Sequence, residues 1–353
     1  MKAYIILEDG HIFCGERFGA DCDAVGELVF TTGMGGYIET ITDPSYYGQL
    51  VMQTFPLIGN YGMIDSDCES EKPRLFGYIV RDLCGEPSNF RSGGTLDEYL
   101  KNCGIPGVCG VDTREITRII RESGVMNAKI TSELPSDKPK ELLEYSVSDA
   151  VRSVSCSKPF TVPADGAEKC RVALLDLGAK RNIIRELCAR GCTVTVFPYD
   201  TNAETLLGYD KIMLSNGPGD PAENTGVIEM LKSIIGKRPI FGICLGHQLL
   251  ALACGGKCEK LKYGHRGVNQ PVRCTENGRV YISSQNHGYA VISDSLPDGA
   301  RVSYTNANDG TCEGVEYPSM NAFSVQFHPE ACSGPKDTGF LFDKFISMTG
   351  GAL

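Results

Sequence analysis

The chain reads as an α/β protein in which a β-rich N-terminal domain precedes a C-terminal, doubly wound, mostly parallel sheet. Three observations lead there. From Cys170 onward strands alternate with helices, and those strands are almost wholly apolar, as in a parallel sheet covered on both faces. Residues 1–150 instead carry short β-like runs broken by glycines and turn residues. Between them, residues 151–168 ("VRSVSCSKPFTVPADGAE") combine prolines with small polar residues and no periodicity, so a linker is expected, with a second domain over 169–353.

The elements follow in order. "KAYIILEDG", "GELVFTTG" and "LFGYIV" are the strand candidates of the first domain. "DTREITRIIRESG" is its helix: Asp112 or Thr113 opens it, Ile116, Ile119 and Ile120 share a face, and Gly124 ends it. In the second domain "RVALLDLG", "TVTVFPYD", "KIMLSNGPGDP" and "RPIFGIC" read as strands. "KRNIIRELCARG", "TGVIEMLKSIIG" and "LGHQLLALACGG" read as the helices between and after them. "VYISSQNHGYAV", "RVSYTNAN" and "AFSVQFHPE" are β-like, and "TGFLFDKFISMTG" closes the chain as a helix.

Composition narrows the function classes. A chain of 353 residues with 42% hydrophobic and 22% charged residues is globular, and a net charge of -10 argues against a basic nucleic-acid footprint. No apolar run approaches the roughly 20 residues of a membrane helix, and the apolar start of "MKAYIILEDGHIF" is too short for an export signal, so a cytoplasmic protein is expected. Sixteen cysteines then read as reduced thiols, mostly small buried hydrophobes. Cys188 with Cys192 and Cys254 with Cys258 have CxxxC spacing without a histidine cluster, and no metal is expected.

One cysteine has a distinctive setting. In "FGICLGHQ", Cys244 sits where a strand meets a helix, between Gly242 and Gly246. This has the form of a nucleophile elbow, whose glycines keep side chains out of the neighbouring backbone. The helix N-terminus favours thiolate, and Leu245 N–H is placed to donate to an oxyanion. Taken by itself the string fits a packing device equally well. The five histidines divide by context. His11 reads as a surface residue and His247 as a packing or hydrogen-bonding one. His265 and His287 lie in glycine-bearing, turn-like segments, suited to loop structure or to substrate contact. His328 ends the strand "AFSVQFH" before Pro329, with Glu330 two positions on to reach its other ring nitrogen, an arrangement of base and orienting carboxylate. A lone His-Pro-Glu would be a surface turn; with Cys244 it completes a triad.

"SNGPGDP", "GICLGHQ" and "QFHPEA", which follow one another in that order along the chain, resemble the class I, triad-type glutamine amidotransferases. "FTTGMGGYIETITDPSYYGQLV", "FPLIGNYG", "GVDTREITRIIRESG" and "LLDLGAKRNIIREL" are similar, from end to end, to the small-subunit family of the carbamoyl-phosphate synthetases. The resemblance implies that Cys244 attacks the glutamine carboxamide, forming a glutamyl thioester and releasing ammonia, with His328 moving the proton and Glu330 orienting it. Glutamine-holding positions implied by it are Ser45, Gly217, Gly219, Leu245, Gln248, Asn286, Gly288 and Tyr289. Members of the family commonly have Phe where this chain has Tyr289, which leaves the backbone contact there intact.

The same resemblance implies a partner, the carbamoyl-phosphate synthetase large subunit, which would bind ATP and magnesium and use bicarbonate. Free ammonia at neutral pH is mostly unreactive ammonium, so an internal route between the two is implied, and a first domain that serves as interface. No cofactor is expected in this chain, which has no GxxxxGK[ST] string. Assembly of such heterodimers into higher oligomers is compatible with it, as is use of the product for arginine synthesis, pyrimidine synthesis or both. The rival readings are a stand-alone γ-glutamyl hydrolase, a non-catalytic module on the same fold and a thiol redox protein, the last lacking a CxxC partner.

Overall fold

Strands of eight residues or fewer cannot each cover an open edge, and in the first unit of the chain they solve this by closing on one another. The computed structural model describes residues 1–134 and 139–350. It divides into two units, Met1–Ser148 and Asp149–Leu353. In the first, β1 (Lys2–Leu7), β2 (Ile12–Gly19), β3 (Ala24–Thr31) and β4 (Gln49–Gln53) join β6 (Gly77–Ile79), β8 (Pro106–Cys109) and β9 (Met126–Thr131) in a closed barrel. Its order is β1-β2-β8-β6-β4-β3-β9, and β9 pairs back onto β1 through Ile5 and Ile130. β5 (Leu57–Ile58) and β7 (Asp82–Leu83) form a separate two-stranded ladder. The helices of this unit are α1 (Tyr37–Thr42), α2 (Leu96–Asn102), α3 (Thr113–Ser123) and α4 (Glu141–Glu144). α3 is the helix expected from its sequence: the Asp112 side chain caps it by accepting from Glu115 N–H at 3.0 Å, and Gly124 ends it at φ 97°. Ile116, Ile119 and Ile120 are its buried stripe, each such side chain stabilising by about 1.5–3 kcal/mol.

The second unit runs α5 (Ala150–Val154), β10 (Phe160–Val162), β11 (Cys170–Asp176), α6 (Arg181–Ala189), β12 (Cys192–Pro198), α7 (Ala203–Leu207), β13 (Lys211–Leu214), α8 (Thr225–Ile234), β14 (Ile240–Ile243) and α9 (Leu245–Ala253). β15 (Cys258–Cys274), β16 (Val280–Val291), β17 (Arg301–Asn306), β18 (Cys312–Tyr317), β19 (Ala322–Val325) and α10 (Phe340–Ser347) complete it. One ten-stranded sheet results, in the order β10-β12-β11-β13-β14-β19-β18-β16-β15-β17. β12, β11, β13, β14 and β19 form its parallel centre. Beyond β19 the pairing turns antiparallel. Successive side chains of β11 go to opposite faces. Ala173 and Leu175 pack with α7, α8 and α9 in one core, and Val172 and Leu174 pack with α6 and α10 in the other.

Three expectations change. The segment 151–168 is no free linker, because Val151 and Val154 are buried and β10 pairs antiparallel with β12. Pro159 and Pro163 flank an edge strand, where a missing N–H costs no ladder bond. His265 and His287 do not lie in loops but face each other across the β15/β16 ladder, whose register shifts accommodate the glycines. The last parallel strand ends at Val325, and His328 is pinned further on by an isolated antiparallel bridge to Ser284, its N–H donating to Ser284 O at 2.9 Å.

Candidate active site

The carboxyl ends of neighbouring parallel strands are where an open α/β sheet gathers its reactive groups. β11, β13, β14 and β19 end there in sequence-distant segments that carry Lys180, Gly217, Cys244 and His328. Cys244 has φ 54° and ψ -104°. A side chain there is strained by about 1–3 kcal/mol, and the tight turn holds the thiol at the mouth of α9. Both flanking glycines are required: a Cβ on Gly242 would lie 2.7 Å from Gly246 O, and one on Gly246 would lie 2.5 Å from Leu214 O. The turn is tied down by Cys244 N–H to Val325 O at 2.9 Å and Gly246 N–H to Ser215 O at 3.1 Å. Leu245 opens the helix, so its amide is among those with no partner inside it.

His328 and Glu330 form the second half. Glu330 Oε1 lies 2.7 Å from His328 Nδ1, and both side chains are wholly buried. Burial drives the imidazole toward its neutral form and Lys180 adds to that, but the Glu330 carboxylate and the Cys244 thiol outweigh both and push His328 up to about 9. Burial works against the Glu330 charge, yet His328 and Lys180 hold it down at about 2. With Nδ1 committed to Glu330, Nε2 is the ring nitrogen left to serve Cys244, and it is buried with no hydrogen-bond partner among the described residues. A protonated imidazole beside the sulfur supplies the cation that a thiolate needs. The arrangement can therefore deliver a nucleophile, return a proton to a leaving amine and present helix amides to an oxyanion.

Lys180 is the residue that sequence reasoning passed over. At the N-cap of α6, its Nζ lies 3.3 Å from His328 Nδ1 and 3.5 Å from Glu330 Oε1. Its loop is shaped by Asp176, whose carboxylate accepts from Gly178 N–H at 2.9 Å and Ala179 N–H at 2.7 Å. The motif "LDLGAKRN" was visible, but nothing local marks a lysine as facing a carboxylate 150 residues away.

The other expected positions fall as follows. Gln248 sits one turn into α9, its N–H donating to Cys244 O at 3.2 Å. Its Nε2 donates to Tyr289 O and to Gln326 Oε1, both at 2.9 Å. Asn286, Gly288 and Tyr289 lie on β16, and the Cys244 thiol donates to Asn286 O at 3.6 Å. Gly217 is buried, where a Cβ would meet Leu177 O at 2.1 Å and the Leu245 side chain at 2.8 Å. Gly219 has φ 86° and lines a cleft of about 410 Å³ to which Cys244, His328 and Glu330 do not contribute. Ser45 belongs to the first unit, buried in a one-turn helix over Pro44–Tyr46, its N–H donating to Asp43 Oδ1 at 2.9 Å. His247 is fully buried against Ser324 Oγ at 2.8 Å, and burial holds it down at about 3, so it stays neutral. His11 is exposed beside Asp9.

Residues 173–348 match the family model for glutamine amidotransferase class-I, and residues 5–130 match that for the carbamoyl-phosphate synthase small chain, CPSase domain. The chain is 50% identical over 351 residues to the carbamoyl phosphate synthase small chain of Clostridium perfringens, covering 98% of this chain and 99% of that one. It is 49% identical over 356 residues to the protein of the same name from Bacillus caldolyticus, covering 99% and 96%. To the protein of that name from Fusobacterium nucleatum it is 51% identical over 351 residues, covering 97% and 96%.

Proposed function

Because the chain belongs to the carbamoyl-phosphate synthase small-chain family, which hydrolyses glutamine and supplies ammonia to a large subunit, we propose that Cys244, His328 and Glu330 perform that hydrolysis here. The observation that carries it is the elbow cysteine coupled to a buried imidazole that Glu330 holds at 2.7 Å. Cys244 Sγ attacks the carboxamide carbon, and the α9 amides receive the charge that develops on oxygen. The His328 proton goes to the departing nitrogen, which leaves as ammonia. Water, deprotonated by His328, then attacks the thioester carbon, and its collapse releases glutamate and regenerates the thiol.

Gln248, Leu245, Gly217, Asn286, Gly288 and Tyr289 hold glutamine on this reading, which the 3.6 Å contact between the thiol and Asn286 O supports. Gly219 and Ser45 join them on the resemblance alone. ATP and magnesium belong to the large subunit. The cytoplasm is the expected compartment: all sixteen cysteines are free, and among the described residues no helix is long and apolar enough to cross a membrane.

The test is glutamate and ammonia release from glutamine by wild type and Cys244→Ser, with and without a large subunit. A low rate that the partner raises and the substitution abolishes is expected. A high rate indifferent to the partner would make the chain a stand-alone hydrolase, and no rate under any condition would leave Cys244 a packing residue.

A further inference from the structure

Next to the triad, three strands bring together side chains that the hydrolysis does not use. His265 on β15 and His287 on β16 are register partners, and Glu313 comes from β18. One ligating atom from each lies within 4.8 Å of the others. Glu313 has no exposed surface, and neither of its carboxylate oxygens has a hydrogen-bond partner among the described residues. A buried carboxylate without partners is costly. Around it stand His265 Nδ1 at 3.4 Å, His287 Nε2 at 3.8 Å and the Asn306 side chain.

The outer partners decide which way each ring presents its lone pair. His287 Nδ1–H donates to Tyr289 O at 2.8 Å, so Nε2 carries the lone pair toward Glu313. His265 Nε2–H donates to Asp309 Oδ2 at 2.8 Å, so the lone pair is on Nδ1, where Asn306 Nδ2 stands at 3.4 Å and would have to give way to a bound ion. Gln285 Oε1 adds a fourth acceptor, 3.3 Å from His287 Nε2. Two imidazole nitrogens, a carboxylate and an amide oxygen thus converge on one point, with the Asn306 amide beside them. Imidazoles whose far nitrogens donate to a carboxylate and a backbone carbonyl are the usual surroundings of bound zinc. In a tetrahedral site with bonds of ~2.1 Å, ligand atoms stand roughly 3.4 Å apart, close to the two separations from Glu313.

We propose that His265, His287 and Glu313 form a binding site for a divalent transition-metal cation, zinc by preference, that ties β15, β16 and β18 together beside the catalytic thiol. Two nitrogens and a carboxylate oxygen suit zinc and exclude magnesium or calcium as the natural occupant. His265 is half-buried and Asp309 exposed, so the ion has a way in from solvent. His287 follows Asn286, whose carbonyl accepts from Cys244, so the bound ion would steady the strand that faces the sulfur. This assigns a metal site to a chain whose sequence pointed to none.

The test uses the full chain carrying Cys244→Ser, stripped with chelator and titrated with Zn2+ and separately with Co2+. One equivalent is expected, with the visible d–d bands of a nitrogen and oxygen site and without the near-ultraviolet band of a thiolate ligand. Glu313→Gln should weaken this equivalent by more than the roughly 10–100-fold typical of losing an outer partner, and Asp309→Asn by about that much. A cobalt spectrum dominated by thiolate, or an equivalent that neither substitution weakens, would overturn the proposal and leave a proton holding the cluster together. The cobalt spectrum of the Cys244→Ser chain and Asp309→Asn, an exposed change, decide the matter even if Glu313→Gln does not fold.

Discussion

Replacing Glu330 with Gln keeps the side chain's volume and removes the charge that faces His328 Nδ1 at 2.7 Å. The imidazole, ordinarily near 6.5, is pushed up to about 9. At ~1.4 kcal/mol per pH unit that difference is on the order of 3 kcal/mol of stability linked to the His328 proton. Because the folded value is raised, this contribution is complete below pH 6.5 and is lost as pH climbs through about 9. Glu330 is lowered from 4.5 to about 2, so its contribution is present above pH 4.5 and lost as pH falls through about 2. Both are therefore whole at about pH 6. In Glu330→Gln, Lys180 Nζ still lies 3.3 Å from the ring, now without a counter-charge, and His328 should titrate below its ordinary value. The variant should lose on the order of 3–5 kcal/mol at pH 6, with the gap to wild type narrowing as pH passes 9. Glutamine hydrolysis should fall by about 10²–10⁴-fold. Urea unfolding across pH 5–10, alongside initial rates, measures both. A gap that does not change with pH, or a rate within a few-fold of wild type, would refute the coupling.

Lys180→Gln removes a cation that opposes the imidazolium, so the alkaline limb of the pH-rate profile should move upward; a downward move would show that Lys180 acts through something other than charge. Cys244→Gly and Cys244→Ala should both abolish hydrolysis, but the glycine variant should be more stable by about 1 kcal/mol, because only Gly relaxes at φ 54° and ψ -104°; equal melting temperatures would mean the turn carries no strain. Gly246→Ala places a Cβ 2.5 Å from the Leu214 carbonyl and should destabilise by about 1–3 kcal/mol or more while cutting activity, checked by thermal melts and rates.

Much of this site was legible in the sequence because its signals are local. A Gly-x-Cys-x-Gly string between an apolar strand and a helix specifies its own turn, since both glycine positions are closed to a Cβ by the backbone of that turn and of β13. His328 and Glu330 are two residues apart and meet through their own stretch of chain. Cap and stripe likewise placed α3 within its own residues. Where the sequence misled, a residue's meaning depended on a distant partner. Pro159 and Pro163 mark a linker until β12 turns the segment between them into an edge strand. The glycines around His265 and His287 mark turns until the two strands pair and absorb them as irregularities.

Local chemistry thus determined the alternating α/β second unit, the elbow at Cys244 and the pairing of His328 with Glu330, since φ/ψ limits, helix caps and hydrophobic period act within a few residues. Tertiary structure alone decided the rest. Closure of the barrel needs Phe18 on β2 to find Gly107 on β8, and Lys180 acquires a role only when β11 and β19 end on the same side of the sheet. The lone pairs of His265, His287 and Glu313 converge only once β15, β16 and β18 are folded together. The physical reason is that such contacts cost loop-closure entropy and are stabilised by burial at the far end, information that no short window of sequence contains.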